Sequence, residues 1–373
     1  MRGGICLSNK DGISGSSEDK VIRVPIGSVI PGMMTARDVY ARNDQLILSC
    51  NTVLDAGMIT KLMFYAIESI SVYEINRDEN KESIFSNKVK KSLEFREFKK
   101  SYDVAVEDGK TIMNDLIECR GKKNTSLLVR NIQDIIGNCS SNINVFQMLH
   151  CIRDYDDPTY MHSVNVGIIC HVFAEWLHMT DEEKEILTLS GMLHDIGKIK
   201  IPKAIINKPE KLTKEEYEII KTHPFIGYQI LTNNDMDDRI RMAALSHHER
   251  YDGKGYPGGL VGNEINYFPM IVAIADVYEA MTSNRVYRAA VCPFDVIQQF
   301  EQDGLQQYAP QYLVPLLERI VETYIHQTVR LSNDMMGEII MVNQHALSKP
   351  IIKVKSDLLD LSIHRNIKID AVL

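Results

Sequence analysis

The segment MIVAIADVYEAM, residues 270–281, constrains this chain more than any other stretch, because apolar residues fall on nearly every side of the helix it would form. A helix apolar all round has to be surrounded by other elements, so the sequence calls for a helical core with this segment inside it. Asp276 stands in the middle of the run, between Ile274, Ala275 and Val277. A buried carboxylate is costly unless it is hydrogen-bonded, paired or bound to a metal. Alone, Asp276 reads as a structural hydrogen-bond acceptor, and only its partners can change that reading.

Partners occur along the same region. EEKEILTLSGMLHDIGKIKIP places Ile186, Leu189 and Leu193 on an apolar helical face and breaks the helix near Gly197 and Pro202, which leaves His194 and Asp195 at a helix end among buried side chains. His162 opens a helical stripe in TYMHSVNVG, and His223 precedes Pro224 at a helix start in KTHPFIGYQIL. LSHHERYDGKGYPGGL adds His247 and His248 at the end of another helix. An adjacent His-Asp pair is common by chance, and a single buried histidine is usually a satisfied core residue. Five histidines beside helix ends, with two carboxylates in apolar surroundings, instead suit a first-row divalent metal held by imidazole and carboxylate.

Composition sets bounds on the rest. The 373 residues suffice for two or three units, and 45% hydrophobic with 25% charged residues is ordinary for a globular protein. No apolar run reaches the roughly 20 residues of a membrane span, and the first 20 residues lack the apolar core of a signal peptide, so a cytoplasmic protein is expected with no membrane partner. The seven cysteines include no CxxC pair, which leaves reduced structural thiols. A net charge of −8 excludes a broad surface for polymeric nucleic acid, so a phosphate substrate must meet local positive charge.

The expected fold class is mainly α: an all-helical bundle with a small N-terminal α/β unit and a small C-terminal β appendage. The divisions read from the pattern are a flexible tail (1–20), a β-hairpin and helix unit around the turn Arg42-Asn43-Asp44 (21–76), a charge-rich helical connector (77–140), the catalytic bundle (141–328) and a β subdomain built from GEIIMV and PIIKVKSDLLDLS (329–373). In the connector, Val89, Leu93, Ile112 and Leu116 recur at loosely helical spacing, which fits a connecting or dimerising helix and equally a helix packed on the bundle.

In this order, His162, His194-Asp195 with Gly197-Lys198, His223, His247-His248, Gly255-Tyr256-Pro257 and Asp276 resemble the HD-GYP subgroup of the HD-domain phosphohydrolases, over about half the chain. The resemblance implies an all-helical domain holding two or three metal ions, commonly iron or manganese, and a cyclic dinucleotide substrate in signal transduction. It makes Asp195 the carboxylate that bridges both metals, with His162, His194 and Asp276 on one and His223, His247 and His248 on the other. The trinuclear branch carries a Glu one turn before the first histidine. Here that position is Pro158, with Asp156 and Asp157 out of register, so two divalent ions are expected.

By the same resemblance Lys198 contacts the scissile phosphate, and Tyr256 lies in a substrate-binding loop that is also open to a protein partner. Its bland alternative is a loop with a packed tyrosine. Arg285 and Arg288, in TSNRVYR, are suited to bidentate phosphate recognition, although Asn284 and Val286 depart from the family's Asp-Arg-Pro-Tyr-Arg. Glu249 and Arg250 are weaker candidates. A two-metal site needs no side-chain nucleophile, since the ions activate water and stabilise charge on phosphate. The expected reaction is hydrolysis of cyclic di-GMP to pGpG and onward to GMP. Cyclic GMP-AMP, another nucleotide, or a catalytically silent dinucleotide sensor remain as alternatives, and a homodimer stays open.

Overall fold

The computed structural model describes residues 21–26, 29, 33–41, 45–73, 92–119, 124–139, 142–152, 158–206, 208, 212–282 and 292–372. At the N-terminal end, β1 (Val21–Pro25) pairs antiparallel with β4 (Ser69–Tyr73), β2 (Val39–Tyr40) pairs with β3 (Leu46–Leu48), and α1 (Ala56–Phe64) lies between them in the chain. Asp55 caps α1 by accepting from the Met58 N–H at 2.7 Å. Val24, Ile47, Leu54, Ile59, Leu62 and Ile70 give this unit a core of its own. Phe64 points out of it and packs edge-on against Phe300 and Tyr308, with ring centroids 5.7 and 5.9 Å apart. The turn at residues 42–44 lies outside the described residues.

Two helices follow, α2 (Leu93–Glu118) and α3 (Thr125–Gly137). Phe95, Phe98, Tyr102, Ala105, Gly109, Ile112 and Leu116 repeat every three or four residues along α2, and that stripe is buried in the same core as the helices that come after it. The described part of the charge-rich segment therefore packs on the bundle. Leu93, read from the sequence as part of the apolar face, is instead exposed at the first turn, and Val89 lies outside the described residues.

The bundle proper comprises α4 (Asn142–Cys151), α5 (Pro158–Trp176), α6 (Asp181–Leu193), a 3-10 turn at Ile196–Lys200, α7 (Lys203–Ile206), α8 (Lys214–Ile220), α9 (His223–Asn233), α10 (Asp238–Ser246) and α11 (Tyr267–Thr282), followed by α12 (Pro293–Gln299), α13 (Leu305–Gln307) and α14 (Pro310–Glu322). A capping box between Thr180 and Glu183, with acidic residues through the first turn, starts α6. From Phe268 to Ala275 every residue of α11 is buried, as an all-apolar helix requires. It packs on α5, α6 and α10, and α6 in turn packs on α5 and α10.

Residues 328–372 close the chain with an antiparallel five-stranded sheet in the order β8-β7-β6-β5-β9, from β5 (Thr328–Leu331), β6 (Met336–Met341), β7 (Ile351–Val354), β8 (Asp357–Asp360) and β9 (Ile369–Val372). Alternation turns Val329, Leu331, Ile339 and Ile352 inward. A helical bundle with small sheets at both ends is the fold class expected from the sequence. The described cysteines, at 50, 119, 139, 151, 170 and 292, are all free thiols, and no helix of the described residues is long and apolar enough to cross a membrane.

Candidate metal centre

Asp195 occupies the point where α6 gives way to the 3-10 turn, with its side chain 1% exposed, and its two oxygens face different neighbours. Oδ1 lies 3.2 Å from His223 Nε2 and 3.5 Å from His247 Nε2. Oδ2 lies 3.3 Å from His194 Nε2 and 3.6 Å from His162 Nε2. Asp276 Oδ1 joins the second group, 3.0 Å from His162 Nε2 and 4.0 Å from His194 Nε2. His248 joins the first, with its Nε2 3.2 Å from that of His223. All the residues singled out as metal ligands thus meet around one carboxylate, divided into two sets.

Local geometry explains how residues so far apart in sequence come together. His194 is the C-cap of α6, His223 the first residue of α9, and His247 the C-cap of α10, so three helix ends converge. The approach of α9 depends on Gly197: a Cβ there would lie 2.0 Å from the His223 carbonyl oxygen and 2.7 Å from the Gly227 nitrogen. Any side chain at 197 would push His223 away from Asp195.

The rings are turned so that Nε2 points inward. The Nδ1 of His194 lies 2.7 Å from the Gly191 carbonyl, that of His223 2.7 Å from the Ile220 carbonyl, and that of His247 3.0 Å from the Ala244 carbonyl. A carbonyl can only accept, so each Nδ1 carries the proton and each Nε2 presents its lone pair to the centre. His162 follows the same rule with a carboxylate, its Nδ1 donating to Glu279 Oε2 at 2.6 Å. Asn165 donates to the other oxygen of Glu279 at 2.8 Å.

Charge completes the arrangement. Burial opposes ionisation of Asp195, yet Lys198 and His194 hold its carboxyl well below the usual range. Asp276 is likewise held low against burial, by His162 and His194. Burial lowers His223, His247 and His248, with His247 down to about 4, so this set is neutral imidazole. For His162 burial also acts downward, but Glu279 and Asp276 outweigh it and raise the ring to about 10. Ionised carboxylates and, in the set of His223, His247 and His248, neutral imidazoles are donor forms that a divalent cation requires. Among the described residues, two buried atoms at the very centre, His194 Nε2 and Asp195 Oδ1, have no hydrogen-bond partner. Orphaned acceptors in a buried polar cluster fit a bound cation.

Around this centre, Lys198 Nζ lies 2.5 Å from Asp195 Oδ2 with its side chain 30% exposed, while Lys200 faces solvent. Tyr256 stacks on His248, centroids 4.7 Å apart and planes 24° apart, and Lys221 Nζ is 5.8 Å from the Tyr256 ring centre. Its loop is held by Glu249, which is buried and accepts from the Gly258 N–H at 2.5 Å and the Leu260 N–H at 3.0 Å. Gly255 allows the fold-back, since a Cβ there would lie 2.4 Å from the Arg250 nitrogen. Arg250 itself is paired with Asp252 at 2.7 Å. Arg285 and Arg288 lie outside the described residues, as do Asp156 and Asp157, and Pro158 opens α5.

Glu279 and Asn165 were not singled out from the sequence, although a signal for each was present. Glu279 is a second carboxylate on the apolar α11, one turn beyond Asp276, and Asn165 stands one turn beyond His162 on α5. The reasoning that picked out Asp276 applies to Glu279 unchanged.

Residues 147–311 match the family model of the HD domain. Over these residues the chain is similar to the HD domain. Curated relatives match the chain as well. The chain is 45% identical over 146 residues to the cyclic di-GMP phosphodiesterase response regulator RpfG of Xanthomonas campestris, covering 39% of each chain. It is 31% identical over 227 residues to the cyclic di-GMP phosphodiesterase PA4108 of Pseudomonas aeruginosa, covering 59% of this chain and 54% of that one. It is 39% identical over 133 residues to 3'3'-cGAMP-specific phosphodiesterase 1 of Vibrio cholerae, covering 36% and 31%. The chain spans about half or less of the length of these relatives.

Proposed function

We propose that this chain is a metal-dependent phosphodiesterase of the HD-GYP type that opens a cyclic dinucleotide, with cyclic di-GMP as the first substrate to test and 3'3'-cyclic GMP-AMP as the second. The observation that carries the reading is the division of Asp195, whose two oxygens face two separate histidine sets. Asp195 would bridge two divalent ions, iron or manganese, with His162, His194 and Asp276 holding one and His223, His247 and His248 the other. When bound, such a pair supplies a hydroxide at neutral pH and neutralises charge on the phosphate oxygens.

The chain's own residues do the remainder. The backbone carbonyls and Glu279 keep His162, His194, His223 and His247 in the Nε2-inward tautomer, so these four donors need no reorganisation. Lys198 places a positive charge at the Oδ2 side of Asp195, within a chain whose net charge is −8, and there it serves the scissile phosphate. Tyr256, backed by His248, presents an aromatic group at the rim of the site to the substrate, and Arg285 and Arg288 add phosphate contacts. From cyclic di-GMP the product is the linear dinucleotide pGpG, with GMP after a second cleavage.

Both cyclic di-GMP and cyclic GMP-AMP phosphodiesterases occur among the relatives, so the base pair recognised is part of the test. Protein purified anaerobically and loaded with manganese or iron should linearise at least one of the two, and Asp195→Ala should abolish turnover and metal binding together. If neither dinucleotide is cut while phosphate monoesters are, the substrate class is wrong. If Asp195→Ala keeps dinucleotide affinity and the wild type shows no turnover, the protein is a binding module.

A further inference from the structure

We infer that Tyr102, on the helix that precedes the HD domain, is a positioning residue for His162, acting on it through Asn165 and Glu279. The inference rests on the metal-binding reading of the site. Tyr102 OH donates to Asn165 Oδ1 at 2.7 Å, Asn165 Nδ2 donates to Glu279 Oε1 at 2.8 Å, and His162 Nδ1 donates to Glu279 Oε2 at 2.6 Å. Tyr102, Asn165 and Glu279 are 0%, 4% and 3% exposed, so water does not compete for these bonds. The relay crosses three helices, α2, α5 and α11, and ends on the ring whose Nε2 sits 3.0 Å from Asp276 and 3.6 Å from Asp195.

The chemistry gives the relay a direction. An asparagine side chain can face a carboxylate with its amide or, after a flip, with its carbonyl, and two acceptors facing each other in a buried site are unfavourable. The Glu279 carboxylate can only accept, so it turns the Asn165 NH2 toward itself, and the Asn165 carbonyl that is left accepts from the Tyr102 hydroxyl, which anchors the side chain in that position. With Oε1 occupied by that amide, Oε2 is set to accept from His162 Nδ1, which fixes the ring's tautomer and angle. Tyr102 is held in turn by an aromatic column on its own helix: Phe95 on Phe98 at 6.4 Å and Phe98 on Tyr102 at 6.1 Å, each pair with planes 19° apart. The HD-domain match begins at residue 147, so the outermost link of this relay is contributed by chain that precedes the domain.

Direct outer partners of a metal-binding histidine are worth about 10–100-fold in metal affinity, and Tyr102 acts two links further out, so Tyr102→Phe should weaken Mn²⁺ binding by about 3–10-fold. The measurement is Mn²⁺ affinity of the full chain by calorimetry, beside the melting temperature of the metal-free protein. Tyr324→Phe, which alters another buried tyrosine outside the relay, serves as the control and should leave Mn²⁺ affinity unchanged. A double-mutant cycle adds a readout that general loosening would not give: if Tyr102 works through Asn165, then Tyr102→Phe made on top of Asn165→Ala should weaken Mn²⁺ binding no further. Equal affinity in Tyr102→Phe and wild type, or an equal loss in Tyr324→Phe, overturns the inference. A wild type that binds no Mn²⁺ overturns the metal reading beneath it, and the two failures are told apart by the wild-type titration alone.

Discussion

Glu249→Gln isolates the clamp that holds the Tyr256 loop against the histidines. The Glu249 carboxylate is 5% exposed and accepts two backbone donors, Gly258 N–H at 2.5 Å and Leu260 N–H at 3.0 Å. Glutamine keeps one acceptor and turns an NH₂ group toward the other backbone N–H, so one bond to a charged acceptor is lost and a donor is set against a donor. A hydrogen bond to a charged group contributes about 1.5–3 kcal/mol, so the loop should open more easily by about 2–3 kcal/mol. At about 1.4 kcal/mol per tenfold, that is an opening equilibrium larger by roughly 30–100-fold. Hydrogen-exchange mass spectrometry on peptides spanning residues 251–262 reads it directly, as exchange at Gly258 and Leu260 faster by that factor with α10 and α11 unchanged. Unaltered exchange at these two amides, or acceleration spread equally over the bundle, would refute the clamp.

Two further substitutions test other parts of the account. Asp295 is buried on α12, and burial raises its carboxyl to about 6, so the folded state holds its proton more tightly than the unfolded chain, whose pKa is about 4. Its contribution to stability is full below the unfolded pKa and is lost as pH rises through about 6, at about 1.4 kcal/mol per unit, or up to about 3 kcal/mol. Asp295→Asn should therefore stabilise the protein increasingly from about pH 4 to about pH 6 and by a nearly constant amount above, as read by urea unfolding, and a gain independent of pH would contradict the assignment. Gly197→Ala sets a methyl group against the His223 carbonyl and should cost about 1–3 kcal/mol of stability, as overpacking does, together with a loss of Mn²⁺ affinity. An unchanged unfolding midpoint would show that the close approach of α9 is not required.

The parts of this structure that were readable in advance are those where a residue's chemistry conflicts with its neighbours in sequence. Asp276 in an apolar helix, His194-Asp195 at a helix break and the histidines beside helix ends each announced a need for partners, and the structure gathers them around Asp195. The β-like runs GEIIMV and PIIKVKSDLLDLS likewise announced a sheet, and the structure places β6, β7 and β8 in them. What was not readable depends on distance in sequence. The heptad-like stripe of α2 is compatible with a dimer or with the bundle, because one helix face does not name its partner. Leu93 shows the limit of spacing at a helix end, where the first turn projects into solvent. Tyr102 and Asn165 are separated by 63 residues, and nothing in the sequence marks Tyr102 until the fold joins the two. Lys198 was assigned to phosphate by resemblance, and the structure adds its contact with Asp195 Oδ2.

The division of Asp195 between two histidine sets is tested most directly by divalent metal stoichiometry, measured by elemental analysis of anaerobically purified protein and by Mn²⁺ titration of the metal-free chain. The account predicts two ions per chain, about one after His162→Ala or after His223→Ala, and none held tightly after Asp195→Ala. A wild type that holds a single ion, or an Asp195→Ala variant that still holds two, would contradict it.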